Sequence, residues 1–344
     1  MTDAPFSFVP LGAIIQTFVV NKTNIVQGFD TQDQYVSHNS PYFGETIGRV
    51  ANRLKGAQLA SINGGKSYPL AANDRGNSLH GGIKGWGKRI WDGPKPIGTR
   101  SIPGVDGLEG GETVEFTLTS QDGDEGYPGT VLAKVIYTTG TQSLNGKTVN
   151  VLGIEYEATL TDGAEETAIN LTNHSYFNPA GAPDAKTYAG TTVKLATNKH
   201  LPVDASAIPT GKVEPFPGLD TSKEFAMTEN GPDVDHCFVT VDDPSSVPID
   251  TRNEPLRNNL TAYHSGTGVH LEVLSTEPSF QFYTGVGIKV PAVGNVPARG
   301  NRAGFCCEPG RWVNAANVDG WKNQCIVKKG QTYGSRIVYK GWSD

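Results

Sequence analysis

Apolar and polar side chains alternate with period two in run after run of this chain. Val114, Phe116 and Leu118 alternate with Thr113, Glu115 and Thr117. Ile154, Tyr156, Ala158 and Leu160 do so with Glu155, Glu157 and Thr159, and Val269, Leu271 and Val273 with His270 and Glu272. Successive side chains of a strand point to opposite faces, so each run is a strip with one apolar face. That face is stable only when buried against another layer. No amphipathic helical pattern longer than two turns competes with these strips. The 42 glycines and 22 prolines suit a turn-rich chain and lack the fixed period of collagen. No repeat and no glycine-rich linker divides the sequence. The expectation is all-β: a large antiparallel β-sandwich, one domain over residues 1–344.

Turn chemistry places several connections. Ile14–Val20 reads as a strand, residues 21–24 as its turn and residues 25–29 as the return. Asn63-Gly64-Gly65, between short alternating runs, signals a hairpin. Residues 73–82 form a loop rich in residues that tolerate positive φ and let backbone approach a ligand. Residues 122–129 read as a polar loop and residues 201–211 as proline-braced connection. Residues 233–239 and 280–285 read as strands. At the C-terminus, residues 325–327, a Lys328-Lys329-Gly330 turn and residues 335–339 suggest a hairpin-like closing pair.

Several function classes lack support. A net charge of −6 without a long basic block argues against nucleic acid. No apolar run reaches the length that crosses a bilayer, so no membrane partner is expected. Residues 1–10 lack a basic stretch, and residues 11–20 are interrupted by Gln16. No signal peptide is read there, and a cytoplasmic location is expected. Cys237, Cys306, Cys307 and Cys325 are then free thiols, and the N-x-S/T matches at Asn21, Asn170, Asn173 and Asn259 are chance. Adjacent Cys306 and Cys307 would face opposite sides of a strand and could not easily share a zinc ion. Dinucleotide, P-loop, zinc-protease and serine-hydrolase signatures are all missing. Acid–base chemistry by histidine and carboxylate remains.

One segment stands apart: Ile169-Asn170-Leu171-Thr172-Asn173-His174-Ser175-Tyr176-Phe177-Asn178. Ile169 and Leu171 would point one way, and Asn170, Thr172 and His174 the other. This reads as a half-buried strand ending in an imidazole. The plain alternative is a surface histidine at a strand end.

Six motifs in order then resemble those of the aldose 1-epimerases, or galactose mutarotases. They are Gly48-Arg49-Val50-Ala51-Asn52-Arg53, Asn77-Ser78-Leu79-His80-Gly81-Gly82, Asn173-His174-Ser175-Tyr176-Phe177-Asn178, Asp235-His236-Cys237-Phe238, Gln281-Phe282-Tyr283-Thr284-Gly285 and Gly304-Phe305-Cys306-Cys307-Glu308. The resemblance covers roughly residues 12–339. It implies a galactose mutarotase-like supersandwich whose concave face holds a monosaccharide, with no cofactor; the reaction is easy enough that no metal need be invoked, and no obligate protein partner is evident. It makes His174 the general acid and Glu308 the general base. Arg53 and His80 would hold the ring oxygen and nearby hydroxyls, with Asn52, Asp235 and Gln281 as further sugar contacts. After the glutamate the family usually continues with polar residues and a Pro-Asp-Ala-x-Asn run. Here Pro309-Gly310-Arg311-Trp312 follows. Pro309 biases Glu308 toward extended backbone, as at a strand end, and the departure bears on the pocket rim and sugar preference.

The chemistry suits the pair. Anomer exchange needs a base for the C1 hydroxyl proton and an acid for the ring oxygen, with roles reversed on closure. A carboxylate near pKa ~4.3 and an imidazole near ~6.5 fit, and a nearby carboxylate such as Asp235 would favour imidazolium. Structural readings stand beside these. Glu308 could simply end a strand, His80 brace a loop, Arg53 pair with an acid, and Asn52 and Gln281 satisfy backbone. His236 reads as structural, and His38, His200, His264 and His270 as surface residues. Trp86, Trp91, Tyr176 and Trp312 read as core before stacking faces. The leading function is aldose 1-epimerase acting on free hexoses such as galactose or glucose. The alternatives are a hexose-6-phosphate mutarotase, with Arg311 as a candidate rim residue for the phosphate, and a non-catalytic sugar-binding protein on the same fold. A glycosidase would commonly need two carboxylates flanking the bond.

Overall fold

A computed structural model describes residues 4–344, and two antiparallel sheets carry its architecture. The larger has nine strands in the order Phe225–Met227, Thr191–Leu195, Arg257–His264, Val269–Ser275, Thr332–Ser343, Lys147–Asp162, Thr130–Leu144, Glu109–Ser120 and Asp92–Thr99. The smaller has six, in the order Tyr176–Phe177, Phe305–Gly310, Ser279–Tyr283, Asp235–Val239, Lys199–His200 and Glu214–Pro215.

Alternation decides how the sheets meet. Phe116, Val135, Ile154, Tyr156, Leu271 and Ile337 of the larger sheet share one apolar cluster with Phe238, Phe280, Phe282, Phe305 and Cys307 of the smaller. The sheets therefore pack face to face, as the sequence predicts. Each buried Phe or Leu side chain contributes about 1.5–3 kcal/mol. On the far side of the larger sheet Val149, Val151 and Val338 pack under Ile102 and Val105. Trp86 and Trp91 lie in the central cluster, and Trp312 in a second one with Trp321.

The Asn63-Gly64-Gly65 hairpin forms, joining Gln58–Ile62 to Lys66–Pro69. The expected C-terminal hairpin does not. Ile326–Lys328 pairs with Glu166–Ala168, whereas Thr332–Ser343 runs through the middle of the larger sheet between Lys147–Asp162 and Val269–Ser275. The segment from Ile169 is not half-buried either. Ile169 and Leu171 enter the core as expected, but Asn170, Thr172 and His174 are buried on the opposite face beneath a second layer of loops. His200, expected at the surface, is buried with Nδ1 2.8 Å from the Glu214 carbonyl.

Pro309 lies inside Phe305–Gly310, opposite Phe280, so Glu308 is within a strand and not at its end. The outer neighbour, Tyr176–Phe177, reaches only Cys306 and Phe305. Beyond it the strand is locally an edge, where a missing N–H is tolerated. The one α-helix among the described residues, Gln32–His38, starts with a Thr31–Gln34 capping box. No described helix is long and apolar enough to cross a membrane.

Candidate active site

The face of the smaller sheet turned away from the core carries the polar side chains. In Phe305–Gly310, Phe305 and Cys307 enter the core, so Glu308 must project to the other side. Phe280 and Phe282 likewise leave Gln281 and Tyr283 outward, and Gln281 stands directly opposite Glu308. On the next strand Asp235 pairs with Tyr283, one step diagonal to Gln281. Gln281 Nε2 donates to Asp235 Oδ1 at 2.6 Å.

Loops bring the remaining groups over this face. Thr172–Asn173 pairs with Thr46–Ile47, and Tyr176–Phe177 with the Glu308 strand. His174 sits at the bend between them, its N–H on the Glu45 carbonyl and its carbonyl accepting from Gly44 N–H. Its Nε2 is 3.5 Å from Glu308 Oε2. Asn52 and His80 both hold left-handed backbone, with φ of 59° and 53°, a conformation that in non-glycine residues is uncommon and gathers at functional sites. They lock each other: His80 N–H donates to the Asn52 carbonyl at 3.0 Å, and Asn52 N–H to His80 Nδ1 at 3.2 Å. Arg53 Nε donates to Asp74 at 2.7 Å, and its backbone N–H to Asn52 Oδ1. All seven residues singled out in the sequence line one cavity of about 350 Å³, within the range of small-ligand sites.

Burial governs the charges. His174 and Glu308 are only 4% and 6% exposed. Burial pulls His174 down to about 3; its own backbone opposes this and Lys88 adds to it. Burial pushes Glu308 well above the usual carboxylate range, the Asp235 charge adds to the rise, and Arg53 opposes it. Asp235 therefore acts on Glu308, and the expected stabilisation of a His174 imidazolium by Asp235 is not what the site does. Nor does an ionised carboxylate face a half-protonated imidazole. The neutral forms are favoured, and they share the same single proton that an ion pair would. His80 is also held well below its ordinary value, by burial first and then by His174, Arg53 and Lys88. Its Nδ1 accepts from Asn52, so the hydrogen of the neutral ring is on Nε2.

His80, His174 and Glu308 place one ligand atom each within 4.8 Å of one another, close enough for a cation. A metal on His80 Nε2 would move that ring's hydrogen to Nδ1, against the Asn52 N–H. The arrangement suits hydrogen bonding to oxygen better than ligation.

Arg311 is not at the rim. Its side chain, like that of Glu277, is 0% exposed; Arg311 Nε lies 3.3 Å from Glu277 Oε2, and the guanidinium sits over Tyr333. Among the four aromatic residues weighed as stacking faces, only Tyr176 lines the cavity. Sequence reasoning missed Tyr42 and Tyr283. The Tyr42 ring lies 4.9 Å from His80 and 5.6 Å from His174, with Lys88 Nζ 4.5 Å from its centre. Tyr42 has φ 69° in the Pro41-Tyr42-Phe43-Gly44 stretch, and an aromatic residue before Phe-Gly was the only available signal. Arg75 and Lys289, also unforeseen, are exposed at the mouth.

Comparison with known proteins identifies the family. The family profile described as aldose 1-epimerase matches residues 4–340. The bifunctional protein GAL10 of Pachysolen tannophilus is 40% identical over 96% of the chain, but the chain spans only 44% of that protein's length. The galactose mutarotase of Bos taurus is 35% identical over 92% of the chain and 84% of its own. Among solved structures, the GalM/aldose epimerase homologue from C. elegans superposes with a TM-score of 0.77 at 24% identity, covering 98% of this chain and 95% of that one. Galactose 1-epimerase from Lactobacillus acidophilus NCFM gives 0.73 at 21% identity, with 99% and 92% covered; both likenesses speak to the fold. The chain belongs to the aldose 1-epimerase family of isomerases.

Proposed function

We propose that this protein interconverts the α and β anomers of free aldohexoses such as galactose and glucose, with His174 as general acid and Glu308 as general base. The observation that carries the reading is the 3.5 Å approach of His174 Nε2 to Glu308 Oε2 inside a sugar-sized cavity. Glu308 takes the C1 hydroxyl proton as the C1–O5 bond breaks, and His174 delivers a proton to O5. The C1–C2 bond turns, and the reversed transfers close the ring on the other face of the aldehyde. Sugar hydroxyls that hydrogen-bond both groups move their shared proton from Glu308 to His174, leaving a carboxylate as the base and an imidazolium as the acid. His80 Nε2–H, Arg53, Asn52, Gln281 and Asp235 supply donors and acceptors for the remaining oxygens.

A second reading, hexose 6-phosphate as substrate, draws on Arg75 and Lys289. They are exposed at the mouth and, among the described residues, form no ion pair. Buried Arg311 gives it no support. Four buried free thiols favour a reducing compartment such as the cytoplasm.

Polarimetry tests the proposal. The wild type accelerates relaxation of pure α-D-galactose and α-D-glucose, and Glu308→Gln and His174→Ala each slow it by roughly 10²–10⁴-fold. Turnover of glucose 6-phosphate far above both free sugars would move the assignment to the second reading. Binding without turnover of any of them would make the protein a sugar binder.

A further inference from the structure

Next to the sugar cavity, and sharing Asn52, Gln281 and Glu308 with it as walls, lies a second and much smaller space of about 20 Å³. That is room for one water molecule. Thr172, Gln281 and Glu308 line it, with Ala51, Cys237 and Val313 closing its apolar side.

Two of its polar atoms stand out. Thr172 Oγ1 and Gln281 Oε1 are buried and find no hydrogen-bond partner among the described residues. Three other groups in the wall are already committed: Asn170 Oδ1 accepts from Arg311 N–H, Ser279 Oγ donates to the Gly310 carbonyl, and Arg311 Nε lies 3.3 Å from Glu277. The orientation of Gln281 is fixed, because its Nε2 donates to Asp235, leaving Oε1 as an acceptor. Glu308 also sits here without a protein hydrogen bond, His174 at 3.5 Å being its one close polar approach among the described residues. Buried polar groups are rarely left unpaired, and buried waters typically make two to four hydrogen bonds to such orphans.

We propose that one ordered water fills this space and ties Thr172 Oγ1 and Gln281 Oε1 to the Glu308 carboxyl, making Thr172 a positioning residue. Thr172 O–H donates to the water, whose two hydrogens go to Gln281 Oε1 and the Glu308 carboxylate. The carboxylate gains a donor from a wall of the cavity, which fixes its rotamer and favours its charged form. The kinetic part rests on Glu308 being the base; the water site itself does not.

The test has two arms. A high-resolution crystal structure of the wild type shows a full-occupancy water within hydrogen-bond reach of all three groups, and a dry cavity overturns the inference. In polarimetry, Thr172→Val lowers kcat about tenfold, the worth of one hydrogen bond to a charged group, and leaves KM within about twofold. Thr172→Ser, which keeps the hydroxyl, restores kcat. A folded Thr172→Val enzyme with wild-type kcat, or a Thr172→Ser enzyme as slow as it, overturns the positioning role. If the wild type turns over no sugar, the proposed function fails and the positioning role with it, while density for the water still upholds the site.

Discussion

His174 and Glu308 meet the same burial with opposite displacements, and the pH profile should record both. An imidazole pulled down to about 3 gains a second proton for the pair only as pH falls toward that value. A carboxyl pushed well above 4.5 holds its proton into a higher range than usual. The singly protonated pair thus occupies the interval between, and the acid limb of kcat/KM should lie below the ordinary imidazole value of ~6.5. Asp235→Asn removes a like charge from beside Glu308, so the limb belonging to Glu308 should move to lower pH while the His174 limb stays. An acid limb at 6.5 or above that disappears in His174→Ala would refute this. That these residues gather at one cavity was legible because their motifs are short and ordered. Their protonation was not, since a sequence shows neither that Thr172 and His174 lie beneath a second layer nor which neighbour Asp235 acts on.

At the scale of elements, loops aim the groups that strands do not carry. The loop holding His80 is pressed against the segment holding Arg49. A Cβ on Gly81, whose φ is +81°, would fall 2.0 Å from the Gly48 carbonyl oxygen. Gly81→Ala should therefore destabilise the protein by roughly 1–3 kcal/mol and weaken activity by displacing His80. Urea denaturation and polarimetry read the two effects, and unchanged stability would mean that the backbone yields freely here. The sequence revealed this loop through its run of Asn, Asp and Gly, because conformational tolerance is a property of single residues. It misjudged the C-terminal strand for the complementary reason. Alternation tells which face a strand buries, but not which neighbour it takes, and Thr332–Ser343 finds its partners far away in the chain. A local turn signal at Lys328-Lys329-Gly330 could not reveal that.

Across the whole molecule, Arg311 shows how burial overrules composition. Read from the sequence it was a candidate for the rim; in the fold it is sealed against Glu277 and Tyr333. Breaking one side of a buried pair is expensive, whereas replacing both is far less so. Arg311→Met should lose about 3–5 kcal/mol in denaturant unfolding, and Arg311→Met combined with Glu277→Gln should recover much of it. A double variant no better than the single would show that the pair is not coupled. The smaller sheet carries a wider consequence. Phe305 and Cys307 serve the core while Glu308 serves the cavity, and Phe280 and Phe282 alternate in the same way with Gln281. Inserting a single residue in either strand would exchange the two duties, sending a carboxyl into the apolar interior and a phenyl ring into the cavity. The register of these strands is therefore closed to gradual change. The loops that bring Tyr42, Arg75 and Lys289 to the mouth face no such penalty. The rim of the cavity is therefore open to gradual change while His174 and Glu308 stay where they are.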